Sequence, residues 1–271
     1  GERGEAVAGD LGGVPLIVKP AESRGGGSRG VSRVGRLAKL GDAVKFAQSF
    51  YEDSRVIVEK YLEGPEHSVE TITHEGHTHV LAVSDKVKSP FPYRVDQKVI
   101  YPSCVNGRSL ERIHEVVIEA VRSLGVTLGA AHVELCSTEN GPMVFELGAR
   151  CGGGGTPDPI IPFVTGVKMV EEVARIAVGQ TPVRLDPCVQ RGCVYHFLTP
   201  PPGRVKRVEK VEEIRQWPNI LDCEFLVRSG DEIREVRTGA DRAGFVIAGG
   251  ETRDDALDLG SRAEEAIEIE Y

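Results

Sequence analysis

The amino-acid sequence predicts an α+β fold in which short antiparallel strand pairs and a few amphipathic helices build two subdomains, followed by a small strand-rich C-terminal subdomain. Three observations predict it. Two pairs of apolar runs are joined by compact turn signals: HSVETIT meets HVLAVS across Glu75-Gly76, and AAHVELC meets PMVFELG across STENG. Helical periodicity occurs only in isolated stretches between strands, from Asp42, from Ser109 and around residues 169–178. After Gly179 and Pro182 the chain turns to short strands, CVYHFL, CEFLVRSGDEIRE and GFVIAGG, closed by one helix whose N-cap is Thr252.

Each element has a local reason. LIVK at 16–19 is a short apolar strand, and the run ESRGGGSRGV behind it is a loop, because glycine favours neither helix nor ladder. Asp42 is expected to cap a helix carrying Val44, Ala47, Phe50 and Tyr51 on one face, followed by the strand RVIVEKYL. From Lys86 to Val105 the period is lost and Pro90, Pro92 and Pro102 accumulate, which suggests a long ordered loop over a site. Ser109 opens a helix with Ile113, Val116, Val117, Ala120, Val121 and Leu124 on its stripe, stopped by Gly125. The glycine run Gly152 to Gly155 leads into a proline-rich corner. The expected domains are residues 1–62, 63–189 and 190–271. A chain that lacks an initial Met and is already in a strand by residue 16 is expected to be part of a longer protein.

With 271 residues, 40% hydrophobic and 27% charged, the chain can build a sizeable core. Its net charge of -8 and the lack of any Lys/Arg run longer than two argue against nucleic acid as a partner. No stretch of about 18 apolar residues argues for a membrane span, and GERGEAVAGD lacks an apolar signal region, so a cytoplasmic location is expected. The six cysteines are read as free thiols in a chain too large to need stapling. Cys188 and Cys193 stand without a second pair, and His74, His77 and His79 straddle a hairpin turn, so neither group is read as a metal site.

Four constellations can carry chemistry. Lys19 precedes the Glu22–Val31 loop, where backbone N–H groups freed of side chains can approach phosphate oxygens and the lysine adds a point charge. The Walker pattern is absent. Glu134 and Glu146 fall opposite each other if the hairpin is centred near Asn140, and two directly opposed carboxylates make sense mainly around a divalent cation with oxygen ligands, Mg2+ or Mn2+. The segment EKYLEGPEH can offer backbone groups to an adenine edge and a carboxylate to ribose. Arg150, four residues past Glu146, is placed to meet a transferring phosphoryl group.

In this order, these features resemble the ATP-grasp fold over residues 14–180, in which two α+β subdomains sandwich ATP. The resemblance implies that VPLIVKPAESRGGGSRGV is the phosphate loop, with Lys19, Gly26, Gly27 and Ser28 holding phosphates. It implies that Glu59, Lys60 and Leu62 lie at the adenine edge, that Glu66 accepts from ribose, and that Glu134 and Glu146 carry magnesium. Lys98 in VDQKVIYPS lies where some relatives carry another ATP-contacting lysine. ELGARCGG resembles the family's Glu-x-Asn-x-Arg signature, with Gly148 in place of the asparagine, so Gly148 is left out of the metal set while Arg150 keeps its match.

The GPEHSVET and ELGAR spellings look most like the amino-acid and dipeptide ligase branch. That resemblance implies phosphorylation of a carboxylate by ATP, attack of an amine on the acyl phosphate, release of ADP and phosphate, and a homodimer binding small-molecule acid and amine substrates. The rivals are a bicarbonate-activating relative, such as a biotin carboxylase or carboxyaminoimidazole ribonucleotide synthetase type, and a non-catalytic nucleotide-binding protein. A biotin carboxylase is expected to have a biotin-carrier domain and the spelling Glu-Met-Asn-Thr-Arg, and the ELGAR here disfavours it.

Overall fold

The computed structural model describes residues 9–22, 29–52, 54–91 and 93–271. The chain forms two compact units, one of residues 1–62, 88–96 and 234–242, the other of residues 63–87, 97–233 and 243–271.

In the first unit, β1 (Leu16–Pro20) lies between β2 (Ser32–Val34) and β3 (Val56–Lys60) in an antiparallel sheet. Period-2 alternation sends Leu16 and Val18 inward against α1 (Leu40–Gln48), which contributes Leu40, Ala43 and Ala47. Leu16 and Val18 are fully buried, and each such side chain contributes roughly 1.5–3 kcal/mol by leaving water. Asp42 is not the cap. A 3-10 turn at Leu37–Lys39 runs directly into α1, so the helix begins earlier and Asp42 lies in its first turn, where a negative charge faces the positive end of the dipole.

In the second unit, the strands are β4 (Glu66–His74), β5 (His77–Lys88), β6 (Asp96–Tyr101), β7 (Gly129–Thr138), β8 (Gly141–Gly148), β9 (Gly192–Leu198), β10 (Gly203–Arg204), β11 (Arg207–Glu209), β12 (Ile220–Phe225), β13 (Glu232–Ile233), β14 (Gly244–Gly250) and β15 (Glu268–Glu270). Helix α2 is Gly107–Ser123, α3 Ile161–Thr165, α4 Met169–Ala177, α5 Val211–Arg215 and α6 Arg253–Ala266. Eight strands form one sheet in the order β12-β14-β9-β6-β5-β4-β7-β8. Two further strand pairs, β10 with β13 and β11 with β15, stand apart from it.

The sheet is covered on both faces, which is why β4 reads as a continuous run with seven consecutive buried residues instead of alternating. Along one face Val69, Val83, Val133 and Leu135 meet Ile113, Val117 and Val121 of α2, and farther along Ile100, Val194, Leu198, Val246 and Ala248 pack with Ala263 of α6. The other face carries Ile72, Tyr101, Ala130, Tyr195 and Ile247, packed with α3 and α4 through Ile161, Val164, Met169 and Ile176.

The turn at Glu75-Gly76 has φ of 50° and 77°, the double left-handed geometry of a tight two-residue hairpin turn. Thr252 caps α6 with a reciprocal capping box to Asp255. Helix α2 starts at Gly107, behind Asn106, and not at Ser109. The segment from Lys86 to Val105, expected as one long loop, is instead part strand: β5 continues to Lys88 and β6 covers Asp96–Tyr101. Pro90 and Pro102 lie outside both strands, where a missing N–H costs no ladder bond. Residues on both sides of position 190 enter the same sheet, since β9 is inserted between β6 and β14. Among the described residues no helix is long and apolar enough to cross a membrane.

Candidate functional site

In the first unit, Lys19 is in β1 and its Nζ lies 2.7 Å from Glu59 Oε2 on β3. Strand pairing creates this proximity, because Ile17 faces Glu59 and Lys19 faces Ile57 in the antiparallel ladder, a diagonal that long side chains span. Lys60 closes β3 with its side chain exposed, and Leu62 follows half-buried. Tyr61 is held by its backbone N–H to Pro15 O at 3.0 Å, and the Arg33 guanidinium stands 4.9 Å from its ring centre. Gly26, Gly27 and Ser28 lie outside the described residues.

In the second unit, Glu134 and Glu146 are direct partners across β7 and β8. A β-bulge produces this. From Thr138↔Gly141 to Leu135↔Val144 the ladder is centred between Glu139 and Asn140; the register then shifts by one residue at Phe145, and Glu134 pairs with Glu146. Both carboxylates therefore project on one side, while Val144 and Leu147 pack on the α2 side. Glu66 of β4 lies on the carboxylate side too, opposite Cys136, two residues along β7 from Glu134.

Three residues that the sequence reading did not single out surround Glu134. Lys86 of β5, its side chain only 3% exposed, places Nζ 2.5 Å from Glu134 Oε1. His132, two residues back on the same face, places Nε2 3.3 Å from that oxygen, and its Nδ1 bonds Glu70 Oε1. Glu70 is fully buried, and its other oxygen accepts the Gly152 N–H at 3.0 Å. Burial pushes the His132 ring down, but its bonds to Glu134 and Glu70 outweigh this and lift it to about 9, so the ring is a cation at neutral pH. The signals were present: a glutamate inside an uninterrupted buried run, and a histidine two residues before a carboxylate. Reading them needed the extension of β5 to Lys88.

Arg150 is exposed and donates from Nη1 to Cys151 O at 2.7 Å. Its side chain lies over Gly148, where a Cβ would stand 3.3 Å from Arg150 Cγ and 3.4 Å from Nε. Position 148 supplies no metal donor. Burial and the nearby Glu70 charge push the adjacent Cys151 thiol up. Lys98 is not brought to the carboxylates. It pairs with His196 on the face that carries Ile100 and α6, opposite to the one bearing Glu70, His132 and Glu134. Burial and then the Lys98 charge push His196 down to about 4.

Two opposed carboxylates, one of them, Glu146, exposed, are oxygen donors of the kind that Mg2+ or Mn2+ takes. Among the described residues no group of three or more His, Cys, Asp or Glu is arranged to hold a metal by itself. His79 instead pairs with Asp186 at 2.9 Å, and His77 Nδ1 lies 3.2 Å from Glu75 O.

Residues 12–158 match the family model of the ATP-grasp domain, and residues 196–271 match that of the L-amino acid ligase C-terminal domain 2. The chain is 28% identical over 271 residues to uncharacterized protein y4rH of Sinorhizobium fredii, covering 97% of this chain and 54% of that protein. It is 25% identical over 250 residues to dapdiamide A synthase of Enterobacter agglomerans, covering 86% of this chain and 57% of that enzyme. It thus spans little more than half the length of these two relatives. Among solved structures, the L-amino acid ligase from Bacillus licheniformis superposes with a TM-score of 0.81 at 24% identity, covering 97% of this chain and 66% of the other.

Proposed function

This chain belongs to the ATP-grasp domain family, and we propose that it is the nucleotide-binding and catalytic part of an ATP-dependent carboxylate–amine ligase. The observation that carries the reading is the bulge-set pair Glu134 and Glu146, two carboxylates on one side of a sheet, with Arg150 four residues past Glu146. The match of the C-terminal part to the L-amino acid ligase domain and the likeness to dapdiamide A synthase support an amino acid as one substrate.

In this reading Lys19 and the loop with Gly26, Gly27 and Ser28 hold the phosphates, Glu59, Lys60 and Leu62 border the adenine, and Glu66 accepts from ribose. Glu134 and Glu146 would hold the Mg2+ or Mn2+, which when bound draws negative charge off the terminal phosphates. A substrate carboxylate oxygen attacks the γ-phosphorus, the bond to the β-phosphate oxygen breaks, and ADP leaves. Arg150 stabilises charge on the transferring phosphoryl group through its planar guanidinium. The amine then attacks the acyl carbon, phosphate departs, and the amine proton is lost to give the amide. No protein nucleophile is required, so the side chains named here bind, orient and neutralise. Lys98 has no part in it. A cytoplasmic homodimer belongs to the same proposal.

The test is product analysis on the full-length protein with ATP, Mg2+ and a pool of amino acids. ADP, phosphate and a new amide are expected, with a hydroxamate when hydroxylamine replaces the amine. AMP and pyrophosphate, or stimulation by bicarbonate alone, would overturn the reading.

A further inference from the structure

A fully buried carboxylate is costly to desolvate, and replacing a buried ionic cluster by apolar side chains is often neutral or stabilising, so Glu70 is poorly explained by stability alone. Both of its oxygens are engaged by two parts of the chain. Oε2 accepts the Gly152 N–H at 3.0 Å, in the segment that begins at Arg150. Oε1 takes Nδ1 of His132, whose Nε2 points to Glu134 Oε1 at 3.3 Å. Sheet register fixes this line: Glu70 and His132 are direct partners across β4 and β7, and Glu134 is the next residue on the same face of β7. Glycine at 152 is what lets the loop backbone close on the carboxylate, since a Cβ there would stand 2.6 Å from Glu70 Oε1 and 2.9 Å from Thr156 Cγ2.

We infer that Glu70 and His132 are positioning residues for Glu134, which fix the orientation of this proposed metal carboxylate and tie it to the backbone beside Arg150. The inference rests on the metal-dependent ligase reading above. His132 and Lys86 address the same oxygen of Glu134, so the carboxylate is held from two sides before a cation arrives. Partners of this kind orient metal ligands without touching the ion, and their loss typically weakens the metal by 10- to 100-fold.

The experiment measures Mn2+ affinity by electron paramagnetic resonance in the presence of a non-hydrolysable ATP analogue, with thermal unfolding of each ligand-free protein alongside, on the full-length chain. In His132→Asn the amide can reach Glu70 but not Glu134, and Mn2+ affinity is expected to fall by roughly tenfold. In His132→Gln the amide nitrogen reaches the former Nε2 position, and most of the affinity is expected to return although the Glu70 contact is lost. Glu70→Gln keeps an acceptor for Gly152 and is expected to weaken Mn2+ while leaving metal-free nucleotide affinity as in the wild type. If all three variants bind Mn2+ like the wild type, or if their losses follow only the drop in melting temperature, the inference is overturned. A wild-type protein that binds neither Mn2+ nor the analogue would instead bring down the ligase reading, and the positioning role with it.

Discussion

Asp85 collects donors from distant parts of the chain: His67 Nδ1 at 3.1 Å, the Ser103 hydroxyl, the Cys104 N–H at 2.9 Å and Arg253 Nη2 at 2.8 Å. Burial pushes its carboxyl up, but the bonds from His67, Ser103 and Cys104 and the Arg253 charge outweigh it and hold the group far below the usual carboxylate range. The unfolded chain therefore binds the proton first on acidification. The contribution is complete above the unfolded value of about 4 and is lost as pH falls below it towards the folded value. Asp85→Asn is expected to cost roughly 1–3 kcal/mol at pH 7, because the half-buried donors around it lose a charged acceptor. It should also flatten the acid limb of the stability curve, both read by urea unfolding between pH 3 and 7; an unchanged limb would remove Asp85 from acid unfolding. Nothing in the string SDKV marks this residue, because its partners meet only once β4, β5 and α6 have assembled. Glu134 and Glu146 were legible, because two strands joined by one short turn bring their partners within a dozen positions.

The face of a strand decides what its residues can do, and one extra residue can reverse it. Counting outward from Asn140 matches Glu134 with Glu146, yet the turn itself is centred half a residue earlier, and only the bulge at Phe145 restores the match. Lys98 shows the converse. Its place in the chain resembles that of an ATP-contacting lysine, but alternation along β6 turns it towards His196 and Glu264 of α6. Lys98→Ala should therefore leave Mn2+–nucleotide affinity unchanged. Removing the cation should let the imidazolium form more easily, raising His196 from about 4 while burial still keeps it below 6.5. An imidazole NMR titration reads the second effect. A loss of nucleotide affinity without movement of His196 would return Lys98 to the nucleotide site. The β5 extension past Lys86 was not legible, since proline density hid a strand whose ends are polar and whose middle is buried.

The eight-stranded sheet joins what the sequence divided at 189/190. Strand β9 takes Lys98 through Tyr101 of β6 as its partners on one side and all of β14 on the other, so three of the eight strands come from beyond residue 190. Turn density and a change of period announced β9 and β14 and part of β12, but periodicity carries no information on which sheet a strand enters. A chain ending at residue 189 would leave β6 as an open edge and bare the apolar side chains of Ile100 and Tyr101. It is expected to aggregate and to lose cooperative unfolding, checked by size-exclusion chromatography and circular dichroism; a soluble, cooperatively melting fragment would refute this. The shared ladder also constrains inheritance. Two family models meet this chain at 12–158 and 196–271, as though its parts could be traded between relatives one at a time. A donor segment grafted after position 190 must present hydrogen-bonding groups in step with Lys98↔His196 through Tyr101↔Cys193. A graft out of step by one residue would exchange the side chains packed against α6 with those packed against α3 and α4, so lineages can exchange this segment only when they have kept the same phase.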